Sequence, residues 1–283
     1  MTANGYSDDQ GGGTYRSAAA AEGWRRSGAA RAEFLAPITE RLLDLAGIEL
    51  GSRVLDVAAG TGEQTLLAAR RVGPNGSVLA TDIAAQMLAG AVEAARHAGL
   101  GNVETRVLDA RSLDLEPESF DAAISRLALM LIPERAKALA GIRRALKPGR
   151  KLAALVLGRV EESPFIAFPL EIAGRRAGTP LVHFDDPGMF ALGDPAVLQA
   201  AYERGGFREV AVEEVSVQRR FASLAVAMQN CRDILPEVSQ LMVHLSETER
   251  DKAWVEIEEA MRQFEAAEGF VVPQAYLIGV GTK

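Results

Sequence analysis

The segment Val54–Thr65, VLDVAAGTGEQT, runs from apolar residues through an acid and a turn of small residues into the opening of a helix. The apolar run predicts a buried strand, and GEQTLLAARRV predicts a helix behind it. Gly60 and Gly62 sit at the junction, where they let backbone amides approach a ligand closely at a helix N-terminus. The turn nearly spells the glycine loop of a dinucleotide fold. Yet Ala58 stands at the place of the first glycine and Thr65 at the place of the third.

Outward from this turn, short β-branched runs alternate with Ala-rich stretches from about Ser52 to Gly158. SVLATD, NVETRVLD, FDAAISRLAL and RKLAALVLG read as four more strands. AAQMLAGAVEAARHAGLG reads as a helix with Met87, Leu88, Ala91, Val92 and Ala95 on one face, and AKALAGIRRALKPG as another, ending at a Pro148-Gly149 turn. Strands alternating with helices imply parallel strands joined by right-handed crossovers, an α/β doubly wound sheet. Arg159–Leu192 reads as loop plus a short helix. DPAVLQAAYERGGF reads as a helix capped by Asp194. In REVAVEEVSVQRRF the valines alternate at Val210 and Val212, then at Val215 and Val217, and the slip at Glu213-Glu214 suggests a β-bulge. Ser246 and Glu249 form a capping box before a helix whose apolar stripe includes Ala253, Trp254 and Ile257. QAYLIGVG is a final strand. Upstream of the sheet, YRSAAAAEGWRRSGAARAEFLAPITERLLDLAG reads as two helices, a lid or simple packing.

The chain has 283 residues, 48% hydrophobic and 24% charged, with a net charge of −7. No basic run offers a nucleic-acid or anionic-membrane surface, so neither partner is expected. One cysteine and three scattered histidines leave no disulfide framework and no metal-ligand spacing, so no metal is expected. The N-terminal MTANGYSDDQGGG lacks a basic n-region and an apolar core and reads as a disordered tail. These features predict a cytoplasmic protein; a homodimer is left open.

Asp82 ends the second strand, 22 residues after Gly60, where a carboxylate can accept both hydroxyls of a ribose. Asp56, inside the loop, would repel a pyrophosphate but suits a ligand with a positive end. S-adenosylmethionine carries an ammonium, a sulfonium and a ribose and no phosphate.

The motifs VLDVAAGTG, VLATDIAAQML, VLDARSLDLEPESFDAAISRLALM and IRRALKPGRKL, in that order over Arg53–Gly158, resemble the class I S-adenosylmethionine-dependent methyltransferases. Within that class the sequence is most similar to the small-molecule branch related to the ubiquinone/menaquinone-biosynthesis C-methyltransferases. The resemblance implies a Rossmann-like, seven-stranded sheet with its last strand antiparallel. It also implies a disordered tail and N-terminal helical lid over residues 1–45, a cofactor-binding core over 46–160 and substrate-covering segments with the final strands over 161–283. A helical insertion between the last two strands, roughly Ala222–Phe270, would carry substrate choice.

The resemblance further implies Gly60 and Gly62 beside the methionine end with Asp56 near it, and Asp82 on the ribose. Ile83 and Met87 would lie against the adenine, Asp109 and Ala110 at its amino edge, and Ser125 and Arg126 toward the methionine moiety. Ala58, Thr61, Gln64 and Arg111, in the same motifs, complete the implied cofactor set, and Tyr15 and Trp24 in the N-terminal helices would close over it. Arg126 reads nearly as well as an ion-pair partner, and Asp109 as a turn residue. Ala58, Leu127 and Arg150 depart from the family pattern. No confident base is present, His183 being a weak catalytic candidate, so O-, N- and C-methylation stay open. Phe168, Phe184, Met189, Phe190, Met228 and Met242 suggest an apolar acceptor pocket. The expected reaction is methyl transfer to a small apolar or aromatic acceptor, with S-adenosylhomocysteine as product. A non-methylating reaction on the same cofactor is the alternative, and a nicotinamide-dependent oxidoreductase a weaker one.

Overall fold

A computed structural model describes residues 18–178 and 187–283. The apolar runs become strands where expected. These are β1 (Arg53–Val57), β2 (Ser77–Asp82), β3 (Val103–Val107), β4 (Phe120–Arg126), β5 (Leu146–Leu157), β6 (Arg208–Phe221) and β8 (Gly269–Thr282), with a two-residue β7 (Glu265–Ala266) between the last two. The sheet order is β3-β2-β1-β4-β5-β8-β6, and β7 pairs only with β8. The seven expected strands thus make up the sheet, and β7 is a short hairpin partner that the sequence reading did not include. Strands β1 to β5 pair in parallel, while β8 runs antiparallel to both β5 and β6. β1 and β4 are neighbours although β2 and β3 intervene in the chain. The winding therefore reverses between them, and their carboxyl ends open a crevice at the switch point.

The helices are α1 (Ala18–Arg26), α2 (Gly28–Leu45), α3 (Glu63–Val72), α4 (Ala85–His97), α5 (Arg135–Ala145), α6 (Pro164–Ala177), α7 (Pro195–Arg204), α8 (Leu224–Ile234), α9 (Pro236–Leu241) and α10 (Glu247–Met261). The last three form the helical insertion between β6 and β8. One continuous apolar core joins the buried faces of β1, β4, β5 and β8 to α2, α5, α6 and the insertion helices.

Several local readings are corrected. The β6–β8 register runs unbroken from Ala211 to Phe221, so no bulge lies at Glu213-Glu214; the irregularity falls between Arg208 and Ala211, where Glu209 has φ +50°. In an unbroken strand Val212 and Val215 point to opposite faces. The slip in the valines therefore marks the place where this edge strand changes the face it buries. Val92 is half exposed and lies off the buried face of α4. α5 stops at Ala145, ahead of Pro148, and Gly149 supplies the φ of +73° that the following turn needs. Within 159–192, α6 is a 14-residue helix, longer than expected, because Pro164 starts it at N1. Only half of the capping box forms. Ser246 Oγ accepts the Glu249 amide at 3.3 Å, but the Glu249 carboxylate turns to Lys252 and Arg176.

Ala58 keeps the turn after β1 as expected, but it does so at φ +56°, in the left-handed region that disfavours a Cβ. Ala58→Gly should therefore stabilise the protein by about 1 kcal/mol, less glycine's own entropic cost. Thermal unfolding would show a small rise in Tm, and a fall would mean that the loop relies on the Ala58 methyl.

Candidate active site

Three residues in five after β1 are left-handed: Ala58, Gly60 (φ +59°) and Gly62 (φ +86°). They fold the chain sharply so that α3 begins beside the carboxyl end of the sheet. A Cβ on Gly62 would sit 2.8 Å from the Ala91 Cβ, so this glycine is what lets the loop lie against α4. The Asp82 carboxylate reaches across from β2. Its Oδ2 accepts the Gly60 amide at 2.9 Å and its Oδ1 accepts the Ala84 amide at 2.9 Å. Burial raises its pKa against the pull of these backbone donors. Asp82 is thus a brace for the loop as well as a wall of the crevice.

Asp56 lies beneath the loop, fully buried, and does not line the crevice. Thr65 Oγ1 donates to Asp56 Oδ2 at 2.6 Å and Gln64 Nε2 donates to Oδ1 at 3.2 Å. Thr65, at the place of the missing third glycine, therefore holds the loop acid. Burial pushes the Asp56 carboxyl up to about 6, outweighing the donors Thr65 and Gln64. An acid raised in the folded state binds more protons folded than unfolded between its two pKa values. Its burial penalty is then full above pH 6 and is relieved as the pH falls toward 4. Asp56→Asn keeps the shape and removes the charge. Its unfolding free energy relative to wild type should shrink by about 2.5 kcal/mol between pH 7 and pH 4. Denaturant titrations at those two pH values test this, and a difference independent of pH would contradict it.

Glu63, the first residue of α3, was not singled out in the sequence. Its Oε1 accepts Arg31 Nη2 and Thr61 Oγ1, each at 2.6 Å, and its Oε2 accepts Arg126 Nη2 at 2.6 Å. Arg31 comes from α2 and Arg126 from the end of β4, and both are buried. Burial works to raise the Glu63 carboxyl, but the two arginine charges prevail and hold it below the ordinary glutamate value. Arg126 also donates to Thr39 Oγ1 at 3.1 Å, and burial lowers its own pKa. Arg31 in turn reaches the Trp24 carbonyl at 3.0 Å and lies 3.9 Å from the centre of the Trp24 ring. The network fixes α1 over the crevice, so Arg126 is an ion-pair partner and a crevice wall at once.

The crevice encloses about 1000 Å³, including its part open to solvent. Of the expected cofactor residues, Trp24, Ala58, Gly60, Gln64, Asp82, Ile83, Met87, Asp109, Ala110, Arg111 and Arg126 line it. Asp56, Thr61, Gly62 and Ser125 do not: they stand behind the wall. The Ser125 hydroxyl is buried without a hydrogen-bond partner. Asp109 accepts the Arg111 amide at 2.8 Å, starting a short 3₁₀ turn, and pairs with the Arg111 guanidinium at 2.7 Å. Leu108, Leu131, Ile132 and Pro133 add apolar wall that the motifs did not mark. Tyr15, His183 and Phe184 lie outside the described residues. Among the described residues no group of three or more His, Cys, Asp or Glu is placed to hold a metal ion, and no helix is long and apolar enough to cross a membrane.

A second cavity of about 480 Å³, including its part open to solvent, adjoins the first and shares Trp24 and Leu127 with it. Of the five described residues among the six expected to form an acceptor pocket, Met189 alone lines it. Phe190, Met228 and Met242 are packed into the core, and the Phe168 ring lies tilted against that of Phe264.

Residues 48–163 match the family model described as a methyltransferase domain. The segment is a methyltransferase domain. The ubiquinone/menaquinone biosynthesis C-methyltransferase of Pasteurella multocida (strain Pm70) is 38% identical to it over 114 residues, 40% of this chain and 42% of that protein. The nocamycin O-methyltransferase of Saccharothrix syringae is 35% identical over 120 residues, 42% of this chain and 43% of that protein. The chain thus spans less than half the length of these relatives. A crystal structure of a putative methyltransferase from Bacillus halodurans C-125 aligns with a TM-score of 0.57 at 19% identity, covering 87% of this chain and 98% of that one. That likeness extends the fold of the methyltransferase domain through α6–α10 and the last strands.

Proposed function

We propose that this protein binds S-adenosylmethionine in the larger crevice and catalyses methyl transfer to a small apolar or aromatic acceptor in the adjoining cavity. The observation that carries the reading is the braced loop. Asp82 and Gly60 stand together at the switch point of a doubly wound sheet, and among the described residues the arginines that line this crevice are ion-paired, Arg126 with Glu63 and Arg111 with Asp109. The residues fit the cofactor's chemistry. Asp82 offers a carboxylate for the ribose, Ile83, Met87 and Leu108 offer apolar faces for the adenine, and Glu63 and Gln64 stand where a cationic amino-acid end would be received.

When bound, the cofactor supplies a methyl group on a sulfonium, which is already a strong electrophile. The work left to the chain is alignment and removal of water. Trp24, held by Arg31, roofs the crevice, and Leu127 lies between the two cavities, so together they bound the passage from acceptor to donor. Leu127 holds φ +57°, a strained conformation of the kind kept at functional positions. The acidic charge of −7 supports a small-molecule acceptor over nucleic acid.

Calorimetry with S-adenosylhomocysteine and with NAD tests the cofactor. Saturable binding of the first and none of the second is expected, and no heat from S-adenosylhomocysteine at millimolar concentration would end the proposal. A labelled-methyl screen over small aromatic and polyketide-like acceptors then addresses the reaction.

A further inference from the structure

In the sequence VSVQRRF two arginines stand side by side on β6. Arg219 shares its face of the strand with Val215, Val217 and Phe221, while Arg220 points the other way and is exposed. A charge has therefore taken a place in an inward, otherwise apolar series. Arg219 is only 8% exposed and lines the second cavity.

What surrounds it is nearly all uncharged. The guanidinium lies 4.4 Å from the centre of the Phe165 ring, 5.0 Å from that of Phe34 and 5.4 Å from that of Phe221. Its Nη2 donates to the amide oxygen of Asn230 at 3.0 Å. Among the described residues no carboxylate comes within ion-pair distance of it. The other arginine of this cavity, Arg31, has Glu63 at 2.6 Å. Ring faces and one neutral amide orient a guanidinium, but they do not cancel its charge, and a buried charge without a counter-ion is costly. Tyr276, on β8 beside Val215, adds a hydroxyl-bearing side chain to the lining of the same cavity. The rest of the lining is apolar, including Phe34, Ile166, Met189 and Ile234.

We propose that Arg219 is the anchor for an anionic group of the methyl acceptor, so that the acceptor is a small apolar or aromatic molecule bearing a carboxylate. The inference rests on the methyltransferase reading for the word acceptor, but not for the existence of the anion site. The planar guanidinium presents a donor fork that matches a carboxylate edge to edge. The hydrophobic body of the acid would lie along Phe34 and Met189. Its far end would then face Leu127 and Trp24, the two residues that also border the larger crevice.

The test uses the full chain at neutral pH with 2-naphthoate and its methyl ester as probes, each titrated with and without saturating S-adenosylhomocysteine. The acid should bind about tenfold or more tightly than the ester. Arg219→Met, similar in volume, should abolish the preference without changing S-adenosylhomocysteine affinity, and Arg219→Lys should keep part of it. Equal binding of acid and ester, failure of the acid to bind, or a preference that survives Arg219→Met would each overturn the proposal. If Arg219→Met does not fold, Arg219→Lys with 2-naphthol as a third probe decides: a carboxylate anchor gives acid over naphthol, and no difference refutes it. If S-adenosylhomocysteine does not bind wild type, the methyltransferase reading falls. A retained, Arg219-dependent preference for the acid would then uphold the anion site alone.

Discussion

Glu63→Ala should lower the unfolding free energy by about 3–5 kcal/mol, the cost of stranding buried charge. One carboxylate serves Arg31, Arg126 and Thr61, and its side chain is only 12% exposed. Its removal leaves two guanidiniums facing one another in the interior with no anion between them. The loss is structural as well as electrostatic. Arg31 carries Ser27 and the Trp24 carbonyl, so α1 should detach from the crevice and S-adenosylhomocysteine binding should fall with it. Glu63→Gln separates the two effects, because it keeps the shape and part of the hydrogen bonding but not the charge. A triple variant, Glu63→Leu with Arg31→Met and Arg126→Met, should recover much of the stability, since a well-packed apolar replacement often matches a buried ion cluster. Urea titrations give all three values. A loss under about 1 kcal/mol for Glu63→Ala would place the network in the class of solvated surface pairs and refute this account.

Asp82→Ala should weaken S-adenosylhomocysteine by about 100-fold, equivalent to two charge-assisted hydrogen bonds to the ribose. A role on the ribose alone would leave stability hardly changed. The structure alters that expectation, because the same carboxylate accepts the Gly60 and Ala84 amides. A further loss of about 1–3 kcal/mol in stability is expected from those two unsatisfied donors. Asp82→Asn can still accept one of the amides and should fall between. Calorimetry and denaturation on the same variants distinguish the roles. An unchanged affinity beside a large stability loss would leave Asp82 as a brace only.

The parallel strands, the glycine turn and the strand-end acid were legible because each is written locally, in period, in small residues and in the spacing from Gly60 to Asp82. Asp56 was legible as unusual, but not as buried: its proper neighbours, Gln64 and Thr65, lie eight and nine residues on and close over it only once α3 forms. Glu63 passed unnoticed because its meaning lies in Arg31 and Arg126, which the fold brings from 32 residues upstream and 63 residues downstream. Arg219 carried a local signal, a cation in phase with Val215, Val217 and Phe221. The valine slip beside it was read as a bulge, which hid the phase. The second cavity draws its lining from α1, α2, α6, α8, β5, β6 and β8, and no short motif records such a meeting.

The place of β8 has a consequence for how the protein is made. This strand follows β6 in the chain but lies inside it in the sheet, between β5 and β6. While the ribosome is still delivering α10, β5 has no partner on one side, although its residues Leu152–Leu157 are destined for the core. The nascent chain then carries a long apolar edge of the kind that recruits other strands. Only when Gly269–Thr282 emerges and slides into the gap is β6 tied to the sheet, and with it the wall that carries Arg219. The second cavity therefore cannot be complete before β8 is in place, and shielding of the β5 edge until that moment is a demand that the topology places on the cell.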